Sequence, residues 1–366
     1  MHRREFLKAG VALAFAVELP TLASAEVNFN PTPGTWRNFQ VTTRLEIAWP
    51  AGSSQAWIPL PSVNEKDWIR SGDSQWTTNG KAVPARDPHY GAEMLHVVWA
   101  AREEAQVVEV ASRIATQDRA VDLTKPGRPG IGLAAAVRKF NMAGTELIPV
   151  DGIVKATSDE ITAGKTTEID KVRAIYEWVV ENTFRDANVR GCGIGDIAAM
   201  LKTDSLGGKC ADLNALFVGL VRAAGIPARD VYGIRVAPSK FGFKALGTGS
   251  EVITKAQHCR AEVFLTGYGW VATDPADVRK VVLEEPPTNL AIDDPKVAAA
   301  RKTLFGAWEG NWLAYNFAHD IALPGSSGPK LAFLMYPQGE TGNSRLDSLD
   351  ADDFKYTIKS KELAAA

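Results

Sequence analysis

The spacing of apolar residues predicts a β-rich first third of the chain. Alternating or β-branched apolar residues occur in four short runs, at 37–49, 54–58, 95–99 and 106–114. Turn sequences such as Asn79-Gly80 separate these runs, a pattern typical of a small β-sandwich. We therefore expect residues 26–125 to form a β-sandwich domain.

Glycine and proline interrupt residues 126–167, which we interpret as a connector. Beyond it, Thr167 is a candidate helix cap, and apolar residues follow at helical spacing. A second helix is expected to start at Cys210, with an apolar stripe formed by Leu213, Leu216, Phe217, Leu220, Val221 and Ala224. Strand-like runs follow at 230–236, 258–265 and 270–273. This order predicts an α+β domain over 168–290, in which helices pack on an antiparallel sheet.

The remaining residues, 291–366, are expected to form a C-terminal α/β extension that packs on this core. Its first part carries an aromatic patch that we interpret as helix-like, formed by Trp308, Trp312, Tyr315 and Phe317. Short β runs, such as 331–335 and 354–358, follow this patch.

Composition and charge narrow the classes of partner. A chain of 366 residues with 45% hydrophobic and 23% charged residues fits a soluble protein of two or three domains. Its net charge of −2 gives no basic surface for nucleic acid. Outside the N-terminus we find no apolar run long enough to span a membrane. We expect a peptide or protein substrate, with no nucleic acid and no membrane span after signal cleavage; the oligomeric state stays open.

The first 25 residues resemble a secretory signal peptide of the twin-arginine type. Arg3-Arg4-Glu5-Phe6-Leu7-Lys8 precedes an Ala-rich apolar stretch, and the small-residue site Ala23-Ser24-Ala25 ends the segment. The sequence therefore predicts export to the periplasm, with the mature protein starting at about Glu26.

Three cysteines are too few for a disulfide scaffold, and their odd number leaves at least one thiol unpaired within the monomer. Cys210 follows Gly207-Gly208 and lies at the first turn of the expected helix, where free N–H groups and the helix dipole favour a thiolate. Asp212 acts against this, because a nearby carboxylate raises the pKa of a thiol. A disulfide between Cys192 and Cys259 remains open.

Downstream residues supply the other parts of an acyl-transfer centre. Alternation puts His258 on the more polar face of its strand, where it can act as a general base. Asp274, at the end of the next strand, can orient the imidazole, and Asp277 is close enough to substitute for it. His319-Asp320 is a rival base outside this block. We expect no metal and no cofactor, since the chain has no C-x-x-C pair for zinc.

The stretch from Glu168 to Pro275 resembles the transglutaminase-like superfamily of papain-related thiol enzymes. The resemblance is carried by the segments 175–182 (IYEWVVEN), 208–212 (GKCAD), 222–229 (RAAGIPAR) and 269–275 (GWVATDP). It implies a papain-like core in which a helix with Cys210 as nucleophile packs on an antiparallel sheet carrying His258 as base and Asp274 as orienting acid. No calcium-loop signature is present, so the metal dependence of the animal enzymes is not carried over.

The expected function is cysteine-dependent acyl transfer on peptide or protein amides through a thioester, with water as acceptor (a peptidase or amidase). Two alternatives remain open: an amine-transferring transglutaminase, and a non-catalytic peptide-binding or assembly module on the same fold. The Cys210 backbone N–H is one expected oxyanion donor, and Gln257 is a candidate for the second.

Overall fold

The computed structural model describes residues 27–47, 50–101, 105–352 and 354–364. The predicted signal peptide lies outside these residues. The β-rich first part contains seven strands: β1 (Arg37–Ile47), β2 (Ser54–Pro59), β3 (Ile69–Thr78), β4 (Lys81–Arg86), β5 (Glu93–Trp99), β6 (Gln106–Thr116) and β7 (Arg119–Ala120).

Helices and strands mix in the middle of the chain, where the elements are α1 (Ala135–Phe140), α2 (Gly152–Ile161), α3 (Glu168–Asn182), β8 (Phe184–Arg185), α4 (Ile197–Lys202), β9 (Gly207–Gly208), α5 (Cys210–Ala223), β10 (Ala228–Arg235), β11 (Gln257–Leu265), β12 (Gly269–Thr273), α6 (Pro275–Glu284) and α7 (Pro295–Thr303). Short strands follow to the C-terminal side: β13 (Ala307–Trp308), β14 (Trp312–Asn316), β15 (His319–Ile321), β16 (Leu331–Phe333), β17 (Gln338–Thr341), β18 (Ser344–Arg345) and β19 (Lys355–Leu363). The α+β class predicted from the sequence is confirmed.

Two antiparallel sheets form a β-sandwich, and both include C-terminal strands. Their orders are β19-β1-β6-β3 and β18-β17-β2-β5-β4. Apolar residues from both sheets, among them Leu45, Ile58, Val97 and Val110, share one buried cluster. Each large apolar side chain buried in this way contributes roughly 1.5 to 3 kcal/mol. The sandwich is therefore stabilised by burial between its sheets.

The second part of the chain is built around α5, which lies against an antiparallel sheet of order β12-β11-β10-β14. We expected α5 to be amphipathic, but every residue of it is buried. Helices α2, α3 and α6 and the sheet surround it, so its polar residues Asp212, Asn214 and Arg222 are used in internal contacts. Such complete enclosure fixes the position of Cys210 at its first turn.

The C-terminal block is shared between the two parts of the fold. We expected residues 291–366 to pack on the catalytic core, yet β17, β18 and β19 pair with strands of the sandwich, and only β14 joins the core sheet. The helix-like interpretation of the aromatic patch is wrong, because Trp308 and Trp312 lie in β13 and β14. Their large rings fill the core between strands, where aromatic residues are favoured.

Candidate active site

The Gly-Gly turn before Cys210 is shaped by the carboxylate of Asp212. Its oxygens accept the backbone N–H groups of Lys209 (2.9 Å), Ile194 (2.9 Å) and Gly195 (2.9 Å). A Cβ atom at Gly208 would lie 2.5 Å from the Cβ of Asp212. The turn therefore needs glycine because the helix start and the loop at 193–195 close around one buried carboxylate.

Cys210 is 3% exposed, and its sulfur borders the thiols of Cys192 and Cys259. Hydrogen bonds from Cys192, then Cys259, and after them His258 hold the pKa of the Cys210 thiol well below its ordinary value, although burial opposes the shift. The same neighbourhood raises the pKa of the Cys192 and Cys259 thiols. Negative charge is thus concentrated on the Cys210 sulfur.

All three cysteines are free. The sequence left a Cys192–Cys259 disulfide open, and the structure instead places both thiols beside Cys210. The backbone reinforces this arrangement, because the Ala211 N–H donates to the Cys192 carbonyl at 2.9 Å. The Cys192 sulfur also lies 3.7 Å from the Gln257 carbonyl oxygen, which competes with Cys210 as an acceptor for its proton.

His258 and Asp274 contact each other beside Cys210. His258 lies near the start of β11, and Asp274 directly follows β12 and caps α6. The Nε2 atom of His258 is 2.7 Å from Oδ2 of Asp274, and both residues are buried. This contact leaves Nδ1 as the ring nitrogen that is available to the thiol. The structure therefore brings together the three residues that the sequence singled out.

Asp277 is a second carboxylate on the same imidazole. Its Oδ2 atom lies 3.3 Å from Nε2 of His258, and its carboxylate accepts both bonds from one Arg235 nitrogen, at 2.5 and 2.7 Å. Burial lowers the pKa of His258, but Asp277 and Asp274 outweigh burial and the Arg235 charge and raise the pKa to about 9. The imidazolium form is therefore favoured at neutral pH, which matches a neighbouring thiolate.

His258, Asp274 and Asp277 place one ligand atom each within 4.8 Å of one another, a spacing that can hold a metal ion. The donors already have partners, however. Asp277 is bound by the Arg235 guanidinium, and His258 bonds to Asp274. A cation placed here would compete with a buried arginine, so the donor set fits a histidine–carboxylate pair better than a metal centre.

Asn214 positions this pair and was missed by the sequence reasoning. One helical turn after Cys210, its buried amide donates to the Cys259 carbonyl at 2.8 Å and to Oδ1 of Asp274 at 3.2 Å. Asn214 therefore links helix α5 to the strand of His258 and to Asp274. Its position four residues after Cys210, which places it on the same helix face, was the available signal.

A cleft of about 910 Å³ reaches the thiol and the imidazole. Its lining includes Cys210, His258 and Gln257 from the core, together with residues of β1 and β19. The side-chain amide nitrogen of Gln257 is buried without a hydrogen-bond partner among the described residues, and the Tyr356 hydroxyl approaches it outside hydrogen-bond geometry. The Cys210 backbone N–H likewise has no acceptor there. Two unpartnered donors therefore belong to residues that line the cleft.

The rival base lies elsewhere. His319 is not part of the cleft lining. Its Nε2 atom is 3.5 Å from both the Tyr90 hydroxyl and an Arg222 nitrogen, and burial lowers its pKa. The structure therefore does not bring His319 to Cys210.

Comparisons with known proteins place this site in a family. A Haemophilus influenzae protein described as uncharacterized is 34% identical over 98% of this chain and 100% of its own length. The sequence profile of the transglutaminase-like superfamily matches residues 155–275, which contain Cys210, His258 and Asp274. The chain belongs to the transglutaminase-like superfamily. The resemblance drawn from the sequence is thus confirmed.

Two further relatives of this transglutaminase-like chain are more distant. The Bacillus subtilis protein YebA is 28% identical over 125 residues, which cover 33% of this chain and 17% of that protein. A crystal structure from Cytophaga hutchinsonii, described as a "putative cysteine protease", covers 91% of this chain and 93% of its own, with a TM-score of 0.57 and 12% identity. At that identity the likeness shows the shared fold.

Proposed function

We propose that this protein is a cysteine-dependent enzyme that hydrolyses peptide or protein amides through a thioester. The observation that carries the proposal is the buried His258–Asp274 contact of 2.7 Å behind a Cys210 thiol that borders an open cleft. A thiolate beside an imidazolium is the resting form of a nucleophile–base pair.

The chemical steps follow from these positions. The Cys210 sulfur attacks the amide carbon, and the carbonyl electrons move onto oxygen. The Cys210 N–H and the Gln257 amide donate to that oxygen. The His258 imidazolium gives its proton to the leaving amine as the C–N bond breaks, which leaves a thioester. Neutral His258 then takes a proton from water, which attacks the thioester and releases the acid and the thiolate.

The test compares the wild-type protein with Cys210→Ala on a mixture of peptides, followed by mass spectrometry in heavy-oxygen water with an added primary amine. Hydrolysis predicts new carboxyl groups that carry one heavy oxygen, made by the wild-type protein and absent with Cys210→Ala. Incorporation of the amine instead supports the transglutaminase alternative. Peptides bound but unchanged by both proteins would support the non-catalytic module.

The donor role of Gln257 has its own readout in this assay. Gln257→Ala removes one oxyanion donor, so kcat is expected to fall roughly 100-fold with a small change in KM. Alkylation of Cys210 stays at the wild-type rate, because the ion pair with His258 is intact. An equal loss of alkylation would assign Gln257 to maintenance of the thiolate instead.

We propose a periplasmic location for this activity, on the strength of the twin-arginine segment Arg3-Arg4-Glu5-Phe6-Leu7-Lys8. Among the described residues, none of the helices is both long and apolar enough to cross a bilayer. Cell fractionation after changing Arg3 and Arg4 to lysine tests the location. Export that continues unchanged would contradict the twin-arginine route.

A further inference from the structure

The charge of the cleft differs from that of the whole chain. The sequence holds 41 basic and 43 acidic residues, whereas the charged residues that line the cleft are eight arginines and lysines and a single acid, Glu46. A concave surface lined by one sign of charge concentrates ligands of the opposite sign. The cleft is therefore cationic on a protein that is slightly acidic.

Four of these cations are arginines that are already paired with carboxylates. The pairs are Arg44–Glu46, Arg185–Glu284, Arg190–Asp347 and Arg235–Asp277. The lysines differ. Lys209, Lys255 and Lys355 have no carboxylate partner among the described residues, and Lys280 reaches Glu284 only at 3.6 Å. The uncompensated charge of the cleft is thus carried by lysines.

These lysines reach the cleft from four separate segments of the chain. Lys209 directly precedes Cys210, and Lys255 precedes His258 by three residues. Lys355 lies on β19, in the wall contributed by the sandwich. Lys280 is in α6, where burial, together with the nearby charges of Arg235 and Arg185, lowers its pKa. An elongated anionic ligand can therefore contact cations from several elements at once.

Apolar side chains line the same cleft. Tyr336, Leu349 and Tyr356 are among them. A cleft with both apolar and cationic side chains suits a peptide that carries both apolar groups and carboxylates, and the thiol of Cys210 can supply a nucleophile for its amides.

We propose that the substrate is an acidic peptide, whose carboxylates contact the cleft lysines while one of its amides is presented to Cys210. This inference rests on the proposed function for the identity of the reacting bond. The recognition itself belongs to Lys209, Lys255, Lys280 and Lys355 and does not depend on turnover.

Binding to the Cys210→Ala protein tests the recognition without chemistry. Three fluorescent peptides of one sequence are compared by anisotropy, with the same positions filled by Glu, Gln or Lys. The Glu peptide is expected to bind most tightly, and its affinity to fall as salt is raised, because added ions screen the charges. Equal affinity of the Glu and Gln peptides, or affinity independent of salt, would overturn the proposal.

Lysine variants in the Cys210→Ala background test which residues cause the preference for the Glu peptide. Lys255→Gln and Lys355→Gln are each expected to weaken binding of the Glu peptide roughly two- to fivefold, which is the range of a single exposed charge contact. The affinity for the Gln peptide is expected to stay unchanged. Lys361→Gln is the matched control, because Lys361 is exposed on β19 outside the cleft lining. An equal effect of Lys361→Gln would assign the preference to the overall charge of the protein and overturn the cleft assignment.

Turnover by the wild-type protein separates the two proposals. Cleavage of the Glu and Gln peptides with equal kcat/KM overturns the substrate class and leaves the cysteine chemistry intact. Tight, salt-sensitive binding of the Glu peptide with neither cleavage nor amine transfer would support the proposed recognition and contradict the proposed enzymatic function.

Discussion

At the scale of single residues, one pair of opposite charges organises the site. The pKa of the Cys210 thiol is lowered and that of His258 is raised to about 9, so their surroundings favour the charged form of both groups. Two carboxylates behind the imidazole, Asp274 and Asp277, and the Arg235 guanidinium complete a buried chain of alternating charge. Each member depends on its neighbours, because a buried charge without a partner is strongly destabilising.

His258→Ala should slow alkylation of Cys210. Without the imidazolium, the thiol loses one source of its lowered pKa, and each unit of rise removes roughly tenfold of the thiolate at a pH below the pKa. The measurement is the iodoacetamide rate as a function of pH. The matched control is His89→Ala, since His89 is exposed and outside the cleft lining. A rate profile unchanged by His258→Ala would refute the ion pair.

The buried carboxyl group of Asp230 makes the folded protein less stable as the pH rises. It is fully buried, neither carboxylate oxygen has a hydrogen-bond partner among the described residues, and burial raises its pKa from 3.8 to about 7 against the opposing charge of Arg222. Between these two values the folded protein keeps a proton that the unfolded chain has lost. The free energy of unfolding therefore falls through this window.

Asp230→Asn should remove this dependence and stabilise the protein at about pH 8 by roughly 1 to 4 kcal/mol relative to wild type, with little effect near pH 4. Urea unfolding at several pH values measures it. The exposed Asp73 supplies the control variant, Asp73→Asn. If the free energy of unfolding rose between pH 4 and pH 7, and by the same amount in the wild-type protein and in Asp230→Asn, the assignment to Asp230 would be contradicted.

At the scale of elements, α5 is the part on which the site is built. Its first residue is Cys210, the proposed nucleophile; Asp212 closes the loop before it, and Asn214 holds Asp274. Because the whole helix is buried, it cannot shift without disturbing the sheet. Gly193 shows how tightly the loop fits: a Cβ there would lie 1.8 Å from an Asp212 oxygen, and its φ of +93° favours glycine.

Asn214→Ala should reduce both stability and activity. It leaves the Cys259 carbonyl without its side-chain donor, at a cost of roughly 1 to 3 kcal/mol, and frees one oxygen of Asp274 from its restraint. Thermal unfolding and kcat measure the two effects. Asn182→Ala is the control, because Asn182 makes an exposed bond to the Trp178 carbonyl within α3. Full activity in a destabilised Asn214→Ala protein would limit Asn214 to a structural role.

At the scale of the whole molecule, the sequence predicted local features better than long-range ones. The cap at Thr167, the start of α5 at Cys210 and the strand of β1 follow from local patterns, and the structure has them. The contacts of Asn214 and the lysines of the cleft depend on distant segments meeting. The strand character of Trp312 was missed because β14 is defined by its pairing with β10. Local spacing carries no record of such pairing.

A chain ending at Asp352 should lose the wall of the cleft. It lacks β19, which pairs with β1 along residues 38–46 and contributes Tyr356 to the cleft and Ile358 to the core. We expect a lower unfolding temperature and loss of peptide binding, measured by calorimetry and anisotropy. A chain ending at Leu363 retains β19 and serves as the control. Unchanged binding by the shorter chain would contradict a role of β19 in the cleft.

The pairing of β1 with β19 also sets the order in which the protein can mature. Arg37 and Glu362 form an ion pair although 325 positions separate them in the chain. During translation β1 leaves the ribosome long before β19 is synthesised, so this edge of the sheet stays unpaired until β19 has emerged. A nascent chain that lacks β19 therefore has an incomplete cleft wall beside the thiol of Cys210.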